Sequence, residues 1–250
     1  MLAGVSTEWY TRLEKGNIRG VSDEVLDAVA RTLQLDEAER LHLFDLARAA
    51  KPPTTSRRRS QPQIRPSIER LLASMVDTPA FVRNERLDVL AINPLGRALY
   101  APVVDNATRP VNLARFAFLE TRSHDFYPDW DEVANSTVAL LRSEAGRDPY
   151  DRDLTHLIGE LATRSDEFRI RWAAHNVLLH RTGTKHFQHP VGGAIDVVFD
   201  SMNLLADTGL TLTVYSAEPG SPSGDALKLL ASWTATTEPK SESQSDEHAN

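Results

Sequence analysis

The chain has 250 residues, of which 41% are hydrophobic and 25% charged, with a formal net charge of −7 at pH 7. These values suit a globular protein of one large domain or two modest ones, and the negative charge argues against a protein that coats nucleic acid non-specifically. The absence of cysteine excludes disulfides, thiolate catalysis and cysteine-ligated zinc. Because no signal peptide is evident and no apolar run approaches the ~20 residues that span a bilayer, we expect a cytoplasmic protein without membrane contact.

The start of the chain has the pattern of the second half of a helix-turn-helix. Gly4 provides a turn, Ser6 an N-cap and Gly16 the end of a short helix. In such a motif the second helix lies in the major groove of double-stranded DNA, with its N-terminal residues facing the base edges. The predicted DNA-binding residues are Ser6, Thr7, Glu8, Thr11 and Arg12. An ordinary amphipathic helix with solvated polar residues fits the same pattern, and the local signal leaves both interpretations open.

Two further helices are predicted before residue 50. An apolar stripe predicts one from Ser22 to Leu33, and Asp36 with Glu39 forms a capping box that begins the next. Residues 1–50 are therefore predicted to form a partial, all-helical DNA-binding domain. Residues 51–66 are rich in proline and contain three consecutive arginines, which predicts an extended linker that either contacts DNA phosphates or faces solvent.

The chain after the linker contains both β-rich and helical segments. Two β-rich runs, 79–84 and 87–93, predict a hairpin, and the β-rich runs between 177 and 217 predict a three- or four-strand antiparallel meander. A loop is expected at 103–112. Apolar residues at helical spacing predict four helices, over 68–75, 113–119, 154–161 and 226–233. Three more helices are predicted from the residues that begin them: Pro94, a capping box at Asp129, and the cap Ser165.

Strands, then helices, then strands on one antiparallel sheet give an α+β domain over residues 67–235. Residues 236–250 are polar and charged, which predicts a disordered tail.

Signatures of catalysis are absent from the sequence. We find no Walker phosphate loop, dinucleotide fingerprint, nucleophile elbow or H-E-x-x-H motif, and no clustered acid–base pair, so we expect neither an enzyme nor a cofactor. Histidines cluster at four positions, His175, His180, His186 and His189. Two histidines three apart on a strand point to opposite faces, so we interpret the cluster as core and strand-edge residues rather than a metal site.

Several blocks of sequence resemble a known family of regulators. LAGVS at 2–6, YTRLEKG at 10–16 and VSDEVL at 21–26 resemble an Xre-type helix-turn-helix. Later blocks resemble the MmyB-like ligand-binding domain that follows it in one subfamily; they are DVLAINP at 88–94, EFRIRW at 167–172, HNV at 175–177, GTK at 183–185, HPVG at 189–192 and VYSAEPG at 214–220. The resemblance covers about residues 1–235. It implies a PAS-like sensor fold, DNA binding as a homodimer, and a pocket for a fatty acid or similar small apolar ligand.

The chain departs from this family at its N-terminus. Family members carry a first helix and most of a second before the position of Leu2, and their absence predicts an N-terminal truncation that removes part of the small domain's core. Two interpretations follow. The chain is a regulator that binds operator DNA, or it is a ligand- or protein-binding sensor that has lost DNA binding through truncation.

The resemblance also suggests ligand-binding residues, because such a pocket lies between sheet and helices with a few polar groups at its mouth. The predicted apolar walls are Trp130, Phe168, Trp172 and Tyr215, together with Phe81, Leu90, Leu99, Phe116 and Leu141, and each of these can equally be a core residue. An acidic head group would need donors, for which the candidates are Asn93, Arg97, Arg142, Arg171 and His175. We favour Asn93 and His175, because each lies beside an apolar stretch at the end of an element.

Overall fold

The computed structural model describes residues 21–36, 39–40, 43–44, 46–47, 64–105, 110–174 and 182–237. Several predictions lie outside these residues. They concern the DNA-binding residues Ser6, Thr7, Glu8, Thr11 and Arg12, the ligand residue His175, the β-rich run at 177–181, most of the linker, and the tail after residue 237.

The helix predicted from the first apolar stripe is present as α1 (Asp23–Thr32), which buries Leu26 and Val29. The capping box that follows also forms. The backbone N–H of Asp36 donates to Glu39 Oε2 at 2.9 Å, and the N–H of Glu39 donates to Asp36 Oδ1 at 2.8 Å. Both local predictions are confirmed.

A five-stranded antiparallel sheet forms the centre of the domain. Its strands are β1 (Ala80–Asn84), β2 (Val89–Ile92), β3 (Thr182–His189), β4 (Gly193–Asn203) and β5 (Leu210–Ser216). The order across the sheet is β2-β1-β5-β4-β3. The predicted hairpin and meander are thus joined through β1 and β5, where Phe81 is paired with Thr213. The α+β class is confirmed.

The two faces of the sheet bury different residues, because successive side chains of a strand point in opposite directions. One face, here called the inner face, carries Phe81, Phe187, Ile195, Val197 and Tyr215, which pack into the main hydrophobic core. The other face carries Ala80, Val82, Leu210 and Leu212, and it is covered by α2 (Pro66–Ser74) through Ile68 and Leu72.

Helices after β2 cover the inner face and extend beyond it. They are α3 (Pro94–Leu99), α4 (Ala101–Val104), α5 (Leu113–Leu119), α6 (Ser123–Phe126), α7 (Trp130–Arg147), α8 (Arg152–Arg164), α9 (Asp166–Ala173) and α10 (Pro222–Thr237). Side chains of four residues cap them: Asn93 for α3, Asn112 for α5, Asp151 for α8 and Ser165 for α9. A second core forms among α5, α7, α8 and α9 around Leu141, Leu161 and Phe168.

Two local predictions are wrong. Asp129 precedes α7, but its side chain makes no capping hydrogen bond; its carboxylate lies instead 3.8 Å from Nε2 of His186 on β3. The loop expected from residue 103 begins later, because α4 continues to Val104 after Pro102 at a position that suits the start of a helix.

Candidate ligand-binding site

A pocket of about 1170 Å³ opens between α3, α4, the turn that joins β3 to β4, and α10. Its volume is sufficient for a whole small organic molecule. Most of its wall is apolar; the residues concerned are Ile92, Pro94, Ala98, Ala101, Pro102, Phe126, Pro190, Val191, Leu230 and Trp233. The charged residues on the wall are Arg97, Asp105, Arg122 and Asp125. Such a surface suits an apolar ligand that carries at most a small polar end.

The last helix supplies one side of the pocket. Leu230 is fully buried, whereas Trp233, almost one turn further along α10, is 53% exposed. Residues three apart share a face of a helix, so both side chains point toward the pocket. Trp233 therefore presents a large apolar surface at the rim, where a ligand would cover it.

His189 fixes the turn between β3 and β4 against α3. The imidazole is buried and its Nε2 lies 3.0 Å from the carbonyl oxygen of Ala98, while Nδ1 accepts from the N–H groups of Val191 and Gly192 at 3.2 and 2.9 Å. Burial lowers the pKa of His189, and the hydrogen bond to Ala98 opposes this shift only in part. The neutral ring, with its proton on Nε2, satisfies all three contacts. The turn and α3 are held together at the pocket wall.

Arg122 is the better anchored of the two cations on the wall. It lies 3.6 Å from a carboxylate oxygen of Glu120, and its guanidinium is 5.9 Å from the ring centre of Phe116. Arg97 is exposed on α3. Two exposed aspartates, Asp105 and Asp125, line the same pocket, so the wall as a whole has no strong excess of either sign.

A family model for the MmyB-like transcription regulator ligand binding domain matches residues 64–230. The match runs from just before α2 into α10 and includes the sheet and nearly the whole pocket wall. The chain belongs to this family. The resemblance of the later sequence blocks is thereby confirmed for the MmyB-like domain. No curated protein matches the chain.

The MmyB-like domain does not bring the predicted wall residues together at the pocket. Trp130 and Tyr215 belong to the main core, whereas Phe168 and Trp172 stack on each other in the second core with ring centres 5.5 Å apart. None of these four lines the pocket.

The polar atoms of these residues are also occupied within the domain. Nε1 of Trp130 donates to the carbonyl oxygen of Ala117 at 3.0 Å, and the hydroxyl oxygens of Tyr215 and Tyr100 are 2.5 Å apart. Trp172 has the guanidinium of Arg142 over its ring at 4.7 Å. Their positions are those of core residues.

Asn93 has a structural role in the MmyB-like domain. Its Oδ1 accepts from the N–H groups of Ala80 and Gly96 at 2.9 and 2.7 Å, and its Nδ2 donates to the carbonyl oxygens of Met75 and Thr78, both at 2.7 Å. The side chain adjoins a smaller pocket of about 360 Å³ beside α2 and β2. Because both amide hydrogens are used by the backbone, no donor remains for the head group that the sequence suggested.

The sequence pointed to only part of the pocket wall. Arg97 is among the candidate donors, and Leu230 and Trp233 fall within the helix predicted over 226–233, but nothing in the sequence indicates which surface that helix forms with its neighbours. Phe126, Ala98 and the turn after His189 carried no signal, because they reach the pocket only through the packing of distant segments.

The described residues give two further findings. None of their helices has both the length and the apolar character needed to cross a membrane. They also contain no group of three or more histidine and acidic side chains placed to hold a metal ion.

Proposed function

We propose that the chain is a transcription regulator without enzymatic activity, which senses a small apolar ligand through its MmyB-like domain and binds double-stranded DNA through an Xre-type helix-turn-helix. The observation that carries the ligand-sensing part is the 1170 Å³ pocket with its apolar wall, which lies in the segment matched by the family. The five-stranded antiparallel sheet with helices on its inner face supports the PAS-like architecture that the resemblance implied.

The proposed ligand is an acyl chain such as that of a fatty acid. An extended hydrocarbon can cover Ala98, Leu230 and Trp233 while its polar end stays near the charged wall residues, and burial of each methylene contributes about 0.8 kcal/mol. A ligand that closes this pocket would tie α10 to α3 and the β3–β4 turn. We propose that this changes the geometry of a homodimer and thereby the spacing of its two DNA-reading helices.

Two exposed residues of α10 provide the test of the pocket. Trp233 lines the pocket and is 53% exposed, whereas Leu229 is 54% exposed and lies outside it. Isothermal titration with decanoic acid is expected to show weaker binding for Trp233→Ala, by about tenfold, because a rim aromatic contributes on the order of 1–2 kcal/mol. Leu229→Ala is the matched control and should bind like the unmodified chain. Equal affinities for all three proteins would refute the assignment of the pocket.

The DNA-binding part needs a separate experiment with the full chain. Repeated selection from random double-stranded DNA should enrich one sequence with two half-sites if a dimer reads DNA. Arg12→Ala should weaken binding to that sequence, and decanoic acid should alter the affinity. Failure to enrich any sequence would refute DNA binding by this chain without affecting the pocket result.

A further inference from the structure

A single buried imidazole connects two parts of the pocket wall. His189 is the last residue of β3 and is only 2% exposed. Its Nε2 lies 3.0 Å from the carbonyl oxygen of Ala98 on α3, and its Nδ1 accepts from two N–H groups of the turn at 190–192. Ala98, Pro190 and Val191 all line the pocket. The position of the turn relative to α3 therefore depends on the hydrogen bonds of one side chain.

Only the neutral form of this imidazole can make all of these hydrogen bonds. The carbonyl oxygen of Ala98 can only accept, so the ring proton lies on Nε2, and Nδ1 is left as the acceptor for the N–H groups of Val191 and Gly192. In the protonated ring both nitrogens carry a proton and neither can accept. Protonation of His189 therefore replaces two hydrogen bonds of the turn by a contact between donors.

The turn packs closely on the ring. Glycine at position 192 allows this approach, since a Cβ there would lie 3.5 Å from Nδ1 of His189 and 2.9 Å from Cδ1 of Ile195. The N–H groups of Val191 and Gly192 are in partly buried hydrogen bonds, and a buried donor that loses its acceptor is destabilising. When His189 is protonated, these groups regain an acceptor only if the turn moves away from the imidazole toward water.

Charged groups on the neighbouring elements surround His189. They are Arg97 of α3, Asp105 after α4, Arg122 and Asp125 at α6, His186 of β3 and Asp196 of β4. The pocket-lining residues of α10, Leu230 and Trp233, are uncharged. Nδ1 of His186 lies 2.6 Å from Oδ1 of Asp196, so these two groups face each other. The pKa of His189 is lowered by burial and raised, to a smaller extent, by the hydrogen bond to Ala98. The imidazole is therefore neutral at neutral pH and gains its proton on acidification.

We propose that protonation of His189 releases the turn between β3 and β4 and thereby weakens ligand binding in the pocket, so that the MmyB-like domain couples its ligand to pH. The ligand part rests on the proposed function, whereas release of the turn does not require a ligand. Because the ligand binds to the domain with the turn in place, its affinity falls by up to about tenfold for each pH unit below the pKa of His189 in the folded protein, as coupling to one proton requires. By the same coupling, a bound ligand lowers the pKa of His189.

Release of the turn is tested by NMR of the full, ligand-free chain as the pH is lowered from about 7.5 to about 5, a range that includes the ordinary pKa of histidine. The amides of Val191 and Gly192 should shift, and lose protection against hydrogen exchange, with the same midpoint as the imidazole of His189. The amide of Asp207 in the turn between β4 and β5 is the internal control, because it donates to the carbonyl oxygen of Leu204 at 2.9 Å and should not follow this midpoint. Unchanged protection of the Val191 and Gly192 amides while His189 titrates would overturn the proposal.

The coupling to the ligand is tested by isothermal titration with octan-1-ol, an apolar probe that carries no titratable group. The unmodified chain should bind it about three- to tenfold more weakly at one pH unit below the NMR midpoint of His189 than at pH about 7.5. His189→Asn keeps a side-chain oxygen that can accept from the turn and does not titrate, so its affinity should be the same at both pH values. His186→Asn is the matched control from the same strand and lies outside the pocket. It should keep the pH dependence, as should Asp105→Asn and Asp125→Asn, which remove the titratable carboxylates of the wall.

The outcomes separate this proposal from the assignment of the pocket. Equal affinity of the unmodified chain at the two pH values, or the same pH dependence in His189→Asn, would overturn the coupling. If His189→Asn does not fold, the NMR midpoint of His189 in the unmodified chain decides, because saturating octan-1-ol should lower it and an unchanged midpoint would overturn the coupling. Absence of octan-1-ol binding at pH about 7.5 would refute the pocket, and with it the coupling, while the amides of Val191 and Gly192 still test release of the turn.

Discussion

Replacement of Asn93 by alanine should destabilise the domain far more than an average substitution. The side chain is 2% exposed and connects three segments: the end of α2, the start of β1 and the first turn of α3. Asn93→Ala leaves the N–H groups of Ala80 and Gly96 and the carbonyl groups of Met75 and Thr78 without that partner. It also removes the N-cap of α3.

The magnitude follows from the number and burial of these groups. An unpaired buried polar group costs about 1–3 kcal/mol. The two N–H groups are in buried hydrogen bonds, whereas the contacts to the carbonyl groups are only partly buried and can regain water. We therefore expect a loss of about 3–5 kcal/mol, a large share of the 5–15 kcal/mol by which domains are typically stable.

Equilibrium urea denaturation followed by tryptophan fluorescence measures this loss. Asn135→Ala is the matched control: Asn135 lies exposed on α7 and its Oδ1 accepts a 3.2 Å hydrogen bond from Arg171, so its replacement should change stability by less than about 0.5 kcal/mol. A loss below about 1 kcal/mol for Asn93→Ala would refute the structural role. A normally stable variant with weakened decanoate binding would instead restore Asn93 as a ligand-binding residue.

Three other substitutions or conditions test the remaining structural arguments. Gly96→Ala should lower the thermal midpoint, at a cost of about 1–3 kcal/mol, because the added Cβ would lie 2.7 Å from the carbonyl oxygen of Ala80; an unchanged midpoint in a calorimetric scan would contradict this. Burial lowers the pKa of His189 in the folded protein, so as the pH falls this imidazole is protonated in the unfolded chain first. The contribution of the neutral imidazole to the free energy of unfolding is complete above about pH 6.5 and is lost as the pH falls through the pKa of the folded state. Thermal midpoints measured across this range should fall less steeply for His189→Asn. Tyr215→Phe removes the hydroxyl that lies 2.5 Å from the hydroxyl of Tyr100, and it should lower the free energy of unfolding measured in urea by about 1–2 kcal/mol. An unchanged free energy of unfolding would contradict this and indicate that water replaces the lost partner.

Features that depend on a few neighbouring residues could be predicted from the sequence. The capping box of Asp36 and Glu39, the cap at Ser165, the hairpin of β1 and β2, and the helix that begins at Pro94 all rest on contacts within about one turn. The α+β class follows from the order of these elements. The failure at Asp129 has the same origin, because its carboxylate lies near a residue of a distant strand rather than over its own helix.

The candidate site could not be predicted in this way, because it is made by pairing over long separations in the chain. The register of β1 against β5 brings the N-terminal hairpin beside the meander, and the pocket then collects Ala98, His189 and Trp233 from three separate regions. Aromatic residues such as Trp130, Phe168 and Tyr215 have the same local pattern whether they line a pocket or fill a core. The sequence by itself determined most of the helices and strands and the MmyB-like family of residues 64–230. Only the tertiary structure decided which apolar side chains meet one another and which remain open to a ligand, since burial depends on neighbours that local patterns do not specify.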